Sequence, residues 1–200
     1  MTNISELDRT AVDYSVSLVG RVGAADLGRP TPCGEWDLAR LLTHMTVQHR
    51  GFAAAARGAG GDLDLWRMGD TAADPVVAYR EAAADVIAAF AENGVQERDF
   101  ELPEFAPGFT APGHQAIGFH FIDYVVHGWD VARALGLPYE LDPELAEPAL
   151  RVAEAVPDGE IRLQPGSPFA LALPGAGDSD PLHRILTHLG RSPQWPDAVK

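Results

Sequence analysis

Apolar residues recur every three or four positions over four long segments of the chain, a pattern that predicts four amphipathic helices. We expect these helices at about 5–26, 38–58, 75–93 and 112–135, with shorter helices at 142–155 and 181–190. Two start signals support the boundaries, because Asp37 can cap the second helix and Asp74-Pro75 can open the third. Gly136 then marks the end of the fourth helix.

The segments between these helices are rich in proline and glycine, which interrupt regular structure. Residues 59–73 are predicted to form a connector, and residues 99–113 a structured loop without a regular element. Weak alternation at 161–163 and 169–173 predicts one or two short strands near the C-terminus. We therefore predict an all-α fold, a four-helix bundle over 1–158, with a short irregular extension over 159–200 that packs on the bundle without forming an independent domain.

Composition narrows the functional classes. The 200 residues are 46% hydrophobic and carry a formal net charge of −14, which fits a domain with a buried core and disfavours nucleic acid and anionic membranes as partners. No apolar run is long enough to cross a bilayer, and the N-terminus lacks the pattern of a signal peptide, so we expect a cytoplasmic protein. The single cysteine, Cys33, cannot form an internal disulfide, so any metal must be held by histidine and carboxylate.

Asp123 and His127 lie four residues apart in the fourth predicted helix. Their side chains share one face, about 6 Å apart along the axis, and both can reach one ion. The neighbouring residues are apolar, so this face is predicted to point into the bundle, where an unpaired carboxylate is costly. The spacing alone leaves open whether the pair binds a metal or is a hydrogen-bonded pair.

A third metal ligand must come from another helix, and His44 is the best-placed residue on the apolar stripe of the second helix. His49 lies about 140° further around that helix and should face elsewhere. His120 lies roughly 10.5 Å from His127 along the axis, so one ion cannot easily take both together with Asp123. The predicted metal ligands are therefore His44, Asp123 and His127.

The other histidines and the cysteine are given different roles. His114 and His120 are expected beside the site, facing substrate, or on the surface, and His183 and His188 are expected to be structural. Cys33 has no adjacent base in its sequence neighbourhood, which favours a packing role over a reactive thiol.

Three sequence blocks resemble a known family: 31–37 (TPCGEWD), 41–45 (LLTHM) and 123–132 (DYVVHGWDVA). The chain is similar to the DinB/YfiT-like metal-binding proteins, and within them to the actinobacterial branch related to mycothiol-dependent maleylpyruvate isomerase. The C-terminal segment 184–195 is also similar to the ends of members of that branch. The resemblance implies a four-helix bundle in which His44, Asp123 and His127 hold a divalent metal, zinc before nickel. Asp123 departs from the family pattern, because that position is often Glu or His, and the shorter acid reaches less far.

The resemblance implies a metal- and thiol-dependent S-transferase or isomerase, in which the metal activates a small thiol such as mycothiol toward an electrophilic small molecule. One alternative is a metal-dependent hydrolase, for which His120 is the predicted catalytic base. Another is a metal-binding module without catalysis. The sequence leaves open the substrate, the metal and whether the chain forms a homodimer.

Overall fold

The computed structural model describes residues 3–34, 36–164, 169–174 and 180–196. Within these ranges six α-helices dominate, which confirms the predicted all-α, DinB-like fold. The helices are α1 (Ile4–Val19), α2 (Leu38–Ala56), α3 (Pro75–Phe90), α4 (Gly113–Leu135), α5 (Pro143–Glu154) and α6 (Pro181–His188).

Side-chain caps fix most of the helix starts. Asp37, Asp74 and Asp142 each accept a hydrogen bond from a backbone N–H in the first turn of the helix that follows, as Asn3 and Asp180 do for α1 and α6. These contacts satisfy backbone donors that have no partner inside the helix. The predicted starts of α2, α3 and α4 therefore agree with the structure to within a residue.

The predicted end of α1 is wrong. The helix stops at Val19, seven residues before the expected end, and only a short 3₁₀ turn follows at Ala24–Asp26. Val22 and Leu27 extend the apolar pattern, but Gly20 and Gly23 lower helix propensity in that segment. The C-cap at Gly20 ends the helix there.

Two strand predictions also need correction. Residues 99–113 hold an antiparallel hairpin, β1 (Asp99–Glu101) and β2 (Thr110–Pro112), in which Phe100 pairs with Ala111. In the other direction, the strands expected at 161–163 and 169–173 are absent, since Glu160–Leu163 is a 3₁₀ turn and 169–173 has no regular structure.

The apolar side chains form two clusters. The larger one joins α1, α2, α4 and α5, and it includes Leu182, Ile185 and Leu186 of α6. The smaller one packs Phe52, Phe90, Phe100 and Leu102 together, which attaches the hairpin to α2 and α3. The boundary drawn at 158/159 remains a prediction, although α6 shares the core of the bundle. Within the described parts of the chain, no helix has both the length and the apolar character needed to cross a membrane.

Candidate metal centre

Helices α2 and α4 bring the three predicted ligands together. Nε2 of His127 lies 3.3 Å from Oδ1 of Asp123, one turn earlier on α4. The ring of His44, from α2, lies with its centroid 5.1 Å from that of His127. One donor atom from each of the three residues falls within 4.8 Å of the other two, a spacing at which a single ion could contact all three.

The protonation states of these groups suit a cation. Burial lowers the pKa of His44 to about 4, so its imidazole is neutral and keeps a free lone pair at neutral pH. Burial also disfavours a charged His127, but the carboxylates of Asp123 and Asp130 outweigh it and raise the pKa of His127 to about 10. Despite its own burial, Asp123 has a pKa held below the usual range by His127 and His44. A positive charge is therefore favoured between these carboxylates.

A buried ion pair contacts His127 at Nδ1, the ring nitrogen that does not face Asp123. Nδ1 of His127 lies 2.9 Å from Oδ2 of Asp130, and Nη2 of Arg191 donates to that oxygen at 3.3 Å. The same guanidinium nitrogen lies 3.4 Å from Sγ of Cys33. With Nδ1 engaged in this way, Nε2 of His127 is left to face Asp123.

Sequence reasoning did not assign roles to Asp130 and Arg191. Asp130 lies three residues after His127 on α4, a spacing that could have signalled the contact. Arg191 comes from the segment after α6, so no local pattern links it to the site. A second group of possible ligands consists of Cys33, His127 and Asp130, whose donor atoms also lie within 4.8 Å of one another. The Arg191 guanidinium touches both Cys33 and Asp130, and its charge would repel a cation there.

His120 lies in a buried chain of hydrogen bonds. Its Nδ1 lies 2.6 Å from Oδ1 of Asp8 on α1, and its Nε2 lies 3.0 Å from Nδ1 of His49 on α2. All three side chains are sealed from solvent. His49 thus pairs with His120 and not with the three predicted ligands. The catalytic role of His120 remains a prediction. Because both of its ring nitrogens are engaged, the geometry favours an indirect role over direct removal of a proton from a water molecule.

The remaining histidines lie elsewhere. His114 is exposed at the start of α4, His183 faces Asp180 at 3.7 Å, and Nε2 of His188 lies 3.0 Å from the carbonyl oxygen of Val156. Trp36 packs its ring 4.9 Å from that of His44, which places an aromatic side chain against this predicted ligand.

The hairpin loop contributes one further carboxyl group. Gln48, one turn after His44 on α2, donates to Oε2 of Glu104 at 2.8 Å. Although Glu104 is exposed as a residue, its carboxyl group is partly buried against Gln48, and this burial raises the pKa of Glu104 to about 7. The negative charge of Asp123 acts in the same direction.

The raised pKa of Glu104 predicts a loss of stability as the pH rises. Between about pH 4.5, its usual pKa, and pH 7, the folded protein holds a proton on Glu104 that the unfolded chain has lost. The contribution of Glu104 to the free energy of unfolding is fully present below pH 4.5 and is lost as the pH rises through 7. We expect Glu104→Gln to flatten that part of the curve of unfolding free energy against pH. Urea titrations from pH 4.5 to 8 measure it, and an unchanged slope would contradict the assignment.

Comparisons with known proteins identify the family of this chain. The family model described as the mycothiol maleylpyruvate isomerase N-terminal domain matches residues 9–132, which include all three predicted ligands. Uncharacterized proteins from two strains of Mycobacterium tuberculosis, H37Rv and CDC 1551, are each 32% identical, over 91% of this chain and 94% of theirs.

A crystal structure of a mutant mycothiol-dependent maleylpyruvate isomerase has the same fold. Its TM-score is 0.59 at 13% identity, over 78% of this chain and 71% of that one. The predicted resemblance is thereby confirmed, and at the level of the family it supports a thiol-dependent isomerase. This chain belongs to the DinB-like family of the mycothiol maleylpyruvate isomerase N-terminal domain.

Proposed function

We propose that His44, Asp123 and His127 hold one divalent metal ion, zinc in the first instance and nickel in the second. Support comes from the convergence of three donor atoms and from the favoured positive charge between them. Imidazole and carboxylate ligands also suit iron and manganese, so the donor set does not choose the metal. Three protein ligands leave a coordination position free, which is typical of catalytic sites.

The activity we propose is that of a thiol-dependent S-transferase or isomerase using a mycothiol-type thiol. A dication bound by these residues would lower the pKa of a coordinating thiol and so supply a nucleophile near neutral pH. In an isomerisation the sulfur adds to one carbon of a conjugated double bond, the resulting single bond rotates, and elimination returns the same thiol. In a transfer the new carbon–sulfur bond is kept. A reduced small thiol implies that the protein acts in the cytoplasm.

The chain's own residues prepare the site for this chemistry. Asp130 accepts from Nδ1 of His127 and so fixes the ring with Nε2 toward the cluster, and Arg191 neutralises Asp130. Trp36 packs against His44, and the burial of His44 keeps the imidazole unprotonated. The hydrolase alternative has less support, because its proposed base, His120, has no surface exposed to solvent.

Loss of either histidine ligand is expected to abolish stoichiometric metal. His44→Ala and His127→Ala should leave the helical content largely intact, because the two apolar clusters and not the ion hold the bundle together. Asp123→Asn should weaken binding by removing a charge, and Asp123→Glu should retain it. Elemental analysis of protein purified without a histidine tag, with circular dichroism as the folding control, measures both effects. Full metal content in either histidine variant would remove that residue from the site.

The thiol-binding step can be tested with cobalt as a spectroscopic substitute. Millimolar mycothiol or another small thiol, added to cobalt-loaded protein, should give a sulfur-to-cobalt charge-transfer band in the near ultraviolet at pH values well below the usual thiol pKa of about 8.5. The band should be lost in His44→Ala. Cys33 could give the same signal, so Cys33→Ser is the matched control and should retain it. No band in fully loaded protein would favour the non-catalytic metal-binding module.

A further inference from the structure

Three phenylalanine side chains form a partly exposed aromatic cluster on the hairpin side of the site. Phe105 packs its ring 5.6 Å from that of Phe109 and 5.5 Å from that of Phe119. Phe105 is 47% exposed and Phe109 is 37% exposed, so these rings present apolar surface to solvent. We call Phe105, Phe109 and Phe119 the aromatic rim.

The aromatic rim is held by the small core cluster. Phe100 and Leu102 are fully buried at the base of the hairpin, and the backbone N–H of Leu102 donates to the carbonyl oxygen of Phe109 at 2.9 Å. The loop between the strands closes with a further backbone hydrogen bond, from Phe109 to Ala106 at 3.0 Å. The exposed rings therefore stand on a folded support that is in place before any ligand binds.

The aromatic rim lies next to the predicted metal ligands on both helices. Phe119 precedes Asp123 by one turn on α4, so the two side chains share a face. On α2, Gln48 follows His44 by one turn and holds Glu104, the residue that directly precedes Phe105. The loop thus connects the two ligand-bearing helices one turn beyond the ligands themselves.

The acidic groups beside the aromatic rim are Glu104, which directly precedes Phe105, and Asp123, which follows Phe119 by one turn of α4. Among the residues that the structure describes, neither carboxyl group forms an ion pair with an arginine. Arg191, which reaches the site, lies behind His127 and is engaged by Asp130. The two positive charges of a metal ion would be balanced by Asp123 and a thiolate, so Glu104 would keep its negative charge beside the rim. That charge would repel a dicarboxylate.

We propose that the electrophile of this site is an uncharged apolar or aromatic molecule that packs on the aromatic rim, and that Glu104 excludes dicarboxylates. The inference rests on the proposed function, and it names the substrate class for that same site. It separates this chain from an isomerase whose substrate, like maleylpyruvate, carries two carboxylates. The rim provides apolar contact for the ligand, and the carboxylate of Glu104 provides discrimination against negative charge.

A pair of unreactive probes tests the binding preference independently of catalysis. Methyl 4-tolyl sulfone and 4-toluenesulfonate have the same ring and nearly the same size, but only the second is charged, and sulfonate is a weak metal ligand. At pH 8, above the pKa of Glu104, we expect the sulfone to bind roughly fivefold more tightly to the metal-loaded protein. Titration followed by NMR measures both dissociation constants.

Two variants assign that preference to the named residues. Phe105→Ser should weaken binding of the sulfone, whereas Val77→Ser, a matched change of an exposed apolar residue on α3, should not. Glu104→Gln should bring the dissociation constants of the two probes closer together. Equal or tighter binding of the sulfonate by the unmodified protein would overturn the proposal. So would sulfone binding that is unaffected by Phe105→Ser.

A turnover assay separates failure of this inference from failure of the proposed function. Dimethyl maleate isomerises when a thiol adds, the carbon–carbon bond rotates and the same thiol leaves, so no co-reactant is consumed. If the sulfone binds but the diester is neither isomerised nor converted to its thiol adduct, the rim remains a ligand site and the thiol-dependent activity is refuted. Faster isomerisation of maleate than of dimethyl maleate would refute the proposed substrate class alone. Sedimentation of a dimer that Phe105→Ser converts to monomer would show that the rim is an interface between copies, and would also overturn the proposal.

Discussion

Asp130→Asn is expected to lower the free energy of unfolding by about 3–5 kcal/mol, because it removes one partner of a buried ion pair. Arg191 is 7% exposed and Asp130 is fully buried, so the guanidinium would keep its charge without its carboxylate. Urea denaturation followed by circular dichroism measures the loss. Asp85→Asn is the matched control, since Asp85 pairs with Arg57 at the surface, where an ion pair contributes no more than about 1 kcal/mol.

Removal of both charges distinguishes the cost of an uncompensated buried charge from a simple loss of packing. In Asp130→Asn with Arg191→Met, no uncompensated charge remains, and much of the lost stability should return. Metal affinity should stay about 10–100-fold low in both variants, because His127 has lost the carboxylate that orients its ring. A double variant as unstable as the single one would place the cost in the Asn side chain itself. Unchanged metal affinity would separate Asp130 from the site.

The long helices could be predicted because their signals are local. A run of apolar residues at steps of three and four, together with an aspartate cap or a terminal glycine, specifies α2, α3 and α4 without reference to the rest of the chain. The hairpin could not be predicted in this way, since strands of three residues are too short to show alternation. It depends on burial of Phe100 and Leu102 against α2 and α3, which is a tertiary effect. At 161–163 the opposite error arose, because weak alternation occurs without a neighbouring strand.

At the site, too, some contacts follow from local sequence signals and others depend on tertiary packing. The spacing of Asp123 and His127 places them on one face, and the apolar stripe around His44 points that residue inward, so the convergence of the three was predictable. Their role as ligands stays a prediction until metal is measured. Arg191 reaches the site from the segment after α6, and Asp8 reaches His120 from α1. Neither contact has a local pattern, because each depends on how distant segments pack.

The buried contact between Asp8 and His120 is also expected to stabilise the fold. Both side chains are completely buried, and burial raises the pKa of Asp8 while the neighbouring His120 opposes that change. With a proton on Nδ1, His120 donates to Asp8 and leaves its Nε2 to accept from Nδ1 of His49. Nε2 of His49 then carries no proton and needs no acceptor, and it has no hydrogen-bond partner among the described residues. The chain of contacts joins α1 to α4 and α4 to α2.

Asp8→Ala should therefore lower the free energy of unfolding by about 1–3 kcal/mol, since the N–H at Nδ1 of His120 would be left buried without an acceptor. Asp8→Asn keeps a side-chain oxygen for that contact and should cost less. Asp13→Ala, on the same helix, is the matched control, because Asp13 is 59% exposed and its partner Arg9 is also exposed. Urea denaturation ranks the three variants. If Asp8→Ala were no more costly than Asp13→Ala, the buried chain would be a consequence of the packing of α1 on α4 and not a cause of it.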